Sequence, residues 1–241
     1  FGLYFINKDT GWISGSSSKI SKTTNGGLNF DSTTINAGYT YDMYFKDAFT
    51  GFVTADGRVF KTTNGGISWF FSLYLTSSRT FWKISFVGNK FGWVAGFNGE
   101  GVYRTNDFGE NWSIIYDSIK VKWMYGVCFI NEDTGFIGGS YDRLFKTTDG
   151  GFNWTRENTS TNNNEFESIE FVNDTVGWTC STGGVIMHTT TGGQTLTGIA
   201  NQTVNIAERY ELYQNYPNPF KKKKKISFEI QKFSEVRIVV Y

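Results

Sequence analysis

The sequence has few of the residues on which metal sites and cross-linked small domains depend. It holds two cysteines and one histidine in 241 residues. Proline is equally rare, with two residues. Two cysteines do not make a disulfide framework, and one histidine without a Cys/His cluster leaves no recognisable zinc site. We therefore predict no metal ion and no cofactor.

Long apolar runs and a charge imbalance are also absent. No stretch of about 18 apolar residues occurs, so no segment is expected to span a membrane. Lys and Arg number 23 against 22 Asp and Glu, which gives no electrostatic footprint for nucleic acid. No signal peptide is present, but Phe1 lies inside a repeat pattern, and we expect that a preceding segment is missing.

The glycines and prolines divide the chain. All 28 glycines lie at or before Gly198, whereas Pro217 and Pro219 lie after it. Such a change of composition marks a domain boundary. We predict a repeat domain over residues 1–200, a linker over residues 201–209 and a second module over residues 210–241.

An eight-residue segment recurs five times, each time from a Phe to a Gly followed by Trp or Phe. The five copies are Phe5–Trp12, Phe45–Phe52, Phe86–Trp93, Phe129–Phe136 and Phe171–Trp178. Their first residues are 40, 41, 43 and 42 positions apart. The repeats cover about 1–38, 39–79, 80–120, 121–164 and 165–200.

Each repeat also carries a turn signal, most often Thr-Thr-Asn/Asp-Gly-Gly, that ends near an aromatic residue. With the Phe-to-Gly-aromatic segment, it divides each repeat into four short strands, and helical periodicity is absent. Four strands in about 40–45 residues is the size of a propeller blade. We predict an all-β fold: a β-propeller of four-stranded antiparallel blades with five visible repeats, alone or as part of a larger propeller.

The turn resembles the Asp box, Ser/Thr-x-Asp-x-Gly-x-x-Trp, of sialidases and other propellers. Its side chains can accept hydrogen bonds from turn amides, and its glycines supply positive φ. We predict structural roles for Asn25, Asn64, Asp107 and Asp149, and for Gly27, Gly66, Gly109, Gly151 and Gly193.

Over residues 1–198 the whole repeat, Gly-Trp-x-x-Gly followed by Thr-Thr-Asp-Gly-Gly-x-x-Trp, resembles the photosystem II assembly and stability factor family. The resemblance implies a binding propeller, in that family commonly seven-bladed. Repeats of this kind also occur in bacterial secreted proteins without a link to photosynthesis. The photosynthetic role therefore does not carry over automatically.

The repeat alignment separates scaffold positions from singular ones. His188 occupies the position of a basic residue in the other repeats, which favours a scaffold role over catalysis. Cys180 occupies a position of small residues, and Cys128 lies beside Phe129 in a first strand. We expect both cysteines to be small buried residues.

Aromatic and charged residues depart from the repeat in the segments that enter the first strands. In a propeller these segments lie on one face with the loops between the second and third strands. They form a recognition surface for protein or glycan, or their rings pack between blades. The candidate binding residues are Tyr39, Tyr41, Arg79, Trp82, Trp123 and Tyr125.

A sialidase-like glycoside hydrolase is the alternative function. Such an enzyme would need clustered arginines, or paired carboxylates for which Glu165, Glu167 and Glu170 are available. However, Glu167 and Glu170 precede the Phe171 of a first strand and fit an exposed strand edge, and Arg58 and Arg143 share one repeat position. We assign no catalytic residue and favour a binding protein over an enzyme.

The segment Leu212–Phe220, with Gln-Asn-Tyr-Pro-Asn-Pro-Phe, closely resembles the C-terminal sorting domain of the type IX secretion system. The resemblance implies a partial β-sandwich module over residues 210–241, the secretion machinery as a partner, and a secreted or outer-membrane-surface location in a Gram-negative bacterium. Lys221–Lys225 depart from the family pattern, and we interpret them as a solvated turn. The family's module would continue past Tyr241.

Overall fold

The computed structural model describes residues 2–75, 80–97, 101–116, 123–159, 164–194, 197–199, 211–212 and 228–229. Blade 1 consists of β1 (Leu3–Phe5), β2 (Gly11–Ser14), β3 (Lys19–Thr23) and β4 (Asp31–Thr34). Blade 2 consists of β5 (Thr40–Phe45), β6 (Gly51–Ala55), β7 (Arg58–Thr62) and β8 (Phe70–Tyr74). Blade 3 consists of β9 (Thr80–Val87), β10 (Phe91–Phe97), β11 (Gly101–Thr105) and β12 (Ser113–Tyr116).

The last two blades have the same composition of strands. Blade 4 consists of β13 (Met124–Phe129), β14 (Gly135–Gly139), β15 (Arg143–Thr147) and β16 (Thr155–Arg156). Blade 5 consists of β17 (Phe166–Phe171), β18 (Gly177–Ser181), β19 (Ile186–Thr189) and β20 (Thr197–Ile199). In each sheet the strands are antiparallel neighbours in chain order.

The prediction of an all-β propeller with four-stranded antiparallel blades is confirmed. In the described part of the chain, the helical structure is a three-residue 3-10 turn, Thr182–Gly184. No helix among these residues is long and apolar enough to cross a membrane.

The chain divides into two compact units, Phe1–Ile199 and Ala200–Tyr241. In the second unit β21 (Glu211–Leu212) pairs with β22 (Phe228–Glu229) in antiparallel orientation. The predicted linker and the remainder of the predicted sorting module lie outside the described residues.

One aromatic pair joins each blade to the next. The Trp or Phe that follows the glycine of a second strand stacks on a Phe at or next to the end of the next blade's first strand. The pairs are Trp12–Phe45, Phe52–Phe86, Trp93–Phe129 and Phe136–Phe171, with ring centroids 3.6, 4.5, 3.6 and 5.0 Å apart. The first ring of each pair is at most 2% exposed. Burial of such a ring stabilises the fold by about 1.5–3 kcal/mol.

The glycine of the repeated Gly-aromatic motif makes room for the Phe of its own blade. Gly51 lies opposite Phe45 in the sheet, and a Cβ on Gly51 would overlap the Phe45 ring. The same overlap would occur at Gly11, Gly92, Gly135 and Gly177. The motif therefore serves two junctions. Its glycine leaves space for the Phe ring of its own blade, and the aromatic residue after the glycine stacks on the Phe of the following blade.

Hydrogen bonds cross the same junctions. Trp93 Nε1 donates to the carbonyl of Gly150, 2.9 Å away in the next blade. Lys146 Nζ donates to the carbonyl of Gly192 at 2.7 Å. Equivalent bonds run from Trp12 to Gly65, from Lys22 to Ala48 and from Lys61 to Phe108. The basic position of the repeat thus joins its blade to a turn of the next.

The Asp-box turns are organised by hydrogen bonds within the turn. Thr147 Oγ1 donates to Asp149 Oδ1 at 2.8 Å and accepts from the Gly151 amide at 3.0 Å. Asp149 Oδ1 also accepts from the Asn153 amide at 2.8 Å. Gly151 has a φ of 97°, in the left-handed region that glycine adopts without strain.

The other turns repeat this arrangement. In these turns Oδ1 of Asn25, Asn64 or Asp107 accepts a hydrogen bond from the backbone N–H of the residue four positions later. Positive φ recurs at Gly27, Gly66, Gly109 and Gly193. In blade 5 Thr191 stands in place of the acidic or amide residue, and Thr189 Oγ1 still accepts from the Gly193 amide.

Replacement of Asp149 by Ala should lower the free energy of unfolding by about 1–2 kcal/mol, because the turn loses its hydrogen bonds. Partial burial raises the pKa of Asp149, but hydrogen bonds from Asn153 and Thr147 outweigh it and lower that pKa. The stabilisation is therefore complete above the ordinary Asp pKa of about 3.9 and is lost as the pH falls through the lowered value. Urea unfolding at several pH values measures the difference.

Asp174→Ala is the matched control, because Asp174 is exposed on a loop of blade 5. Its effect on unfolding should stay within about 0.5 kcal/mol. The structural role of Asp149 would be wrong if Asp149→Ala abolished a ligand-dependent activity while stability stayed unchanged.

Candidate functional site

The connections between strands lie on two faces of the propeller. The segments that enter the first strands are hydrogen-bonded to the loops between second and third strands: Ser140 N donates to the Trp123 carbonyl, and Thr182 N to the Glu165 carbonyl. We name this side the loop face. On the other side, the turn face, the Asp-box turns contact the loops between first and second strands, as where Gly150 N donates to the Asp133 carbonyl.

Three of the candidate binding residues meet on the loop face at the junction of blades 3 and 4. Trp82 stacks on Tyr125 with ring centroids 4.8 Å apart and an interplanar angle of 5°, and on Phe97 at 5.7 Å and 19°. Phe97 contacts Trp123 at 5.9 Å. We name Tyr125, Trp82, Phe97 and Trp123 the aromatic row. All four are half-buried, so the rings pack across a blade junction and still reach solvent.

Tyr39 and Tyr41 form a second aromatic pair, in blade 2, with ring centroids 6.5 Å apart. Tyr39 is 54% exposed. The Tyr41 hydroxyl donates to Asp56 Oδ1 at 2.8 Å, and Thr80 Oγ1 of blade 3 donates to the same oxygen at 3.4 Å. Burial and then the bond to Asp56 raise the pKa of Tyr41. The remaining candidate, Arg79, lies outside the described residues.

Carboxylates flank the aromatic row. Burial, and then the charge and hydrogen bond of Glu165, raise the pKa of Tyr125 to about 12. Burial and the neighbouring Glu165 raise the pKa of Glu167. Two carboxyl groups thus lie near Tyr125, and the charge of Lys83 partly offsets the rise in the pKa of Glu167.

A central cavity of about 230 Å³ is lined by residues from the first strands of all five blades. Lys83 Nζ lies 3.9 Å from Asp42 Oδ1, and Asp42 Oδ2 accepts from the Ile84 amide at 3.1 Å. Burial raises the pKa of Asp42 although Lys83 opposes the shift. Burial also raises the pKa of Glu170, against Lys83 and with the help of Asp42.

Asp42 and Lys83 were not among the residues that the sequence pattern selected. They lie three positions before the Phe that ends a first strand, where the other blades have Gly2, Gly126 and Ser168. A charged residue at a position otherwise held by small ones is the signal that identifies them. Glu167 and Glu170 are exposed as whole residues, but both carboxyl groups are partly desolvated, and Glu170 lines the cavity.

The arginines that the structure describes are spread over three blades. Arg58 donates to the Asn36 carbonyl, Arg104 lies over the rings of Phe91 and Trp93, and Arg143 lies over Tyr141. Arg156 donates to the Asp142 carbonyl. Among the described residues, no group of three or more His, Cys, Asp or Glu could hold a metal ion.

His188 lies at the strand position that Lys or Arg occupies in the other four blades. It lies opposite Trp178 as Lys146 lies opposite Phe136, and the His188 and Trp178 rings are 4.9 Å apart. The position of His188 in blade 5 is therefore that of Lys146 in blade 4.

The expectation for Cys180 was wrong, because this residue is exposed. Its equivalent Ala95 is buried in a cluster with Met124 and Val127 of the next blade, and no described blade covers this side of blade 5. Cys128 is half-buried beside the cavity, where burial and then Glu170 raise the pKa of its thiol to about 12. Both cysteines are free.

The sequence model of the family "Photosynthesis system II assembly factor YCF48" matches residues 118–204. No curated protein sequence matches the chain. YCF48 from Cyanidioschyzon merolae is similar in structure, with 15% identity and a TM-score of 0.54 over 89% of this chain and 88% of that one.

Two enzymes share the fold. Virginiamycin B lyase from Staphylococcus aureus is 16% identical, with a TM-score of 0.72 over 86% of this chain and 71% of the lyase. The GH74 enzyme of Niastella koreensis is 15% identical, with a TM-score of 0.62 over 82% of this chain and 37% of the enzyme. This chain thus spans little more than a third of that enzyme.

At 15–16% identity the similarities to solved structures establish the fold alone. The match of the family model concerns the repeats within residues 118–204. The chain is therefore a β-propeller, and its residues 118–204 carry YCF48-like repeats.

Proposed function

We propose that this chain is a non-catalytic binding propeller that recognises a protein or glycan through its loop face. The observation that supports it best is the aromatic row. Four rings from two blades pack on one another and are only partly buried, so each still reaches solvent. Aromatic residues of this kind are enriched at the centres of recognition surfaces.

The packing of the row favours binding because the rings are ordered before a ligand arrives. Trp82 is held between strands of two blades by its contacts with Phe97 and Tyr125. Tyr and Trp have few rotatable bonds, and stacked rings lose little further freedom on binding. Such a surface supplies apolar contact area at low entropic cost.

The charges around the row favour a ligand that combines apolar groups with cations or hydrogen-bond donors. Glu165 and Glu167 lie beside Tyr125, and the pKa of Glu167 is raised. A donor or cation placed there would relieve the repulsion between these carboxylates. A basic side chain of a protein and the hydroxyl groups of a glycan both have this chemistry.

The raised pKa values of Asp42 and Glu170 favour a glycoside hydrolase as the second candidate, because such an enzyme needs a protonated carboxyl group. The Asp42 carboxyl group, however, already has partners within the fold: it accepts a hydrogen bond from the Ile84 amide and lies beside the ammonium group of Lys83. The arginine cluster of sialidases has no counterpart among the described arginines, which contact carbonyls and rings of separate blades. Binding therefore remains the preferred function.

We also propose that the chain is exported by the type IX secretion system to the medium or the outer-membrane surface. This proposal is supported by the Leu212–Phe220 signature and by the alternating apolar residues that follow it. The repeat domain would then face the cell exterior and meet extracellular proteins or glycans there.

The binding proposal is tested by probing the chain against a glycan array and a displayed peptide library. Trp82→Ala and Trp123→Ala should each weaken binding of a selected ligand by about thirtyfold or more, as expected for a central aromatic residue. Phe49→Ala is the control, because Phe49 is an exposed ring in a loop on the turn face. It should leave affinity unchanged.

Circular dichroism and thermal unfolding establish that each variant is folded. The binding proposal would be contradicted if both Trp variants were folded and bound the selected ligand as tightly as the parent. Turnover of a panel of chromogenic glycosides by the parent chain would favour the hydrolase instead.

The export proposal is tested by fractionating a Gram-negative bacterium that has type IX machinery and produces, from its own gene, the protein to which this chain belongs. The chain should be found in the medium or be accessible to protease on intact cells. A variant with residues 212–220 replaced by Gly and Ser should stay in the periplasm. Equal distribution of the two would refute the sorting role of this segment.

A further inference from the structure

A β-bulge recurs near the start of the first strand in blades 2 to 5. In each of these strands the pairing with the second strand shifts by one residue, and the shift lies four positions before the repeated Phe. The extra residue of a bulge is left out of the ladder, and the bulge re-aims its side chain. The residues at the four bulges are Tyr41, Trp82, Tyr125 and Glu167, and we name them the collar.

The collar lies at the loop-face end of the central cavity, because the first strands begin on the loop face. The residue that directly follows each collar residue lines the cavity: these residues are Asp42, Lys83, Gly126 and Ser168. Two collar rings of neighbouring blades, Trp82 and Tyr125, stack on each other. A ligand that approaches the cavity from the loop face therefore meets the collar first.

The charges in and beside the cavity are unbalanced. Asp42, Glu170 and Lys83 line it, and Glu167 belongs to the collar. Burial raises the pKa of all three carboxyl groups, and the charge of Lys83 opposes each of these shifts. One ammonium group thus acts on three carboxyl groups. A second cation would stabilise the ionised form of the carboxylates that Lys83 does not neutralise.

The size of the cavity restricts the bulk of its ligand. Its volume is about 230 Å³, whereas pockets for drug-sized ligands measure roughly 300–1,000 Å³. Asp42 follows the collar by one residue and Glu170 by three, which is about 3–10 Å along a strand. A single long, unbranched side chain fits this depth, with its backbone at the collar and its charged head between the carboxyl groups.

We propose that the collar and the central cavity form one site for a lysine or arginine side chain of a protein partner, and this site rests on the binding function proposed for the loop face. The collar rings contact the apolar stem, since such stems lie along apolar surfaces while their heads reach polar groups. Asp42 and Glu170 receive the ammonium or guanidinium group. The hydroxyl groups of a glycan carry no positive charge and would leave the charges unbalanced.

The test uses five-residue glycine peptides, acetylated and amidated at their ends, with Lys, Arg or norleucine in the centre. Norleucine keeps an unbranched apolar stem but has no ammonium group. Dissociation constants are measured by ligand-observed NMR titration. The parent chain should bind the Lys and Arg peptides about tenfold or more tightly than the norleucine peptide, because the charge contributes directly to affinity.

Charge variants locate the site within the fold. Asp42→Asn and Glu170→Gln should each weaken binding of the Lys peptide by about tenfold or more and leave the norleucine peptide unaffected. Lys83→Met should tighten binding of the Lys peptide, because it removes the competing cation and keeps an apolar stem. Damage to the fold would not produce that increase. Glu132→Gln is the matched control, since Glu132 is an exposed carboxylate in a loop on the turn face.

Equal affinities of the parent for the Lys and norleucine peptides would overturn the inference. Unchanged affinity for the Lys peptide in folded Asp42→Asn and Glu170→Gln chains would also overturn it, and so would tight binding of a neutral glycan that does not depend on either carboxyl group. If Asp42→Asn fails to fold, Glu170→Gln and the comparison of peptides on the parent decide the question. In each of these cases a ligand that is lost on Trp82→Ala and Trp123→Ala would still support the loop face as a binding surface. Failure of the cation site and failure of the proposed function are therefore distinguishable.

Discussion

The described propeller depends on one stacking contact repeated at four junctions. A single blade is a small twisted sheet with two apolar sides, and neither side is covered by its own residues. The aromatic residue of each second strand solves this problem by stacking on the next blade's Phe, as Trp93 does on Phe129 at 3.6 Å. The indole hydrogen bond to Gly150 then fixes the direction of the stack. Where a described blade has no such partner, the same residue type becomes exposed, as Trp178 is.

The sequence predicted the fold well because the junction leaves a repeated pattern. A glycine is required where the Phe ring packs, as at Gly51 under Phe45, and an aromatic residue must follow it. Those requirements recur at every blade, so five copies at nearly constant spacing indicated a propeller. Cys180 shows the limit of this reasoning: its position predicts burial, but burial depends on the next blade and not on the repeat alone.

The candidate site was less predictable because recognition surfaces use what the repeat leaves variable. Aromatic residues before the first strands were visible as departures from the pattern, and Trp82, Trp123 and Tyr125 do come together. Phe97 joins them from a second strand, where an aromatic residue gives no local signal. Asp42 and Lys83 pair across two blades, and their proximity depends on ring geometry that residue spacing does not encode.

The stability of Trp93→Ala and Trp178→Ala, compared in dilute solution by urea unfolding, tests the central role of the junction contact most directly. Both changes remove the same side chain from the same position of a blade. Removal of a buried Trp costs about 3–5 kcal/mol, and we expect Trp93→Ala to lose that amount. Trp178→Ala should lose clearly less, about 1–2 kcal/mol, because Trp178 is 39% exposed and stacks on no ring of another described blade. Equal losses in the two variants would contradict the account, since stability would then not depend on stacking between blades.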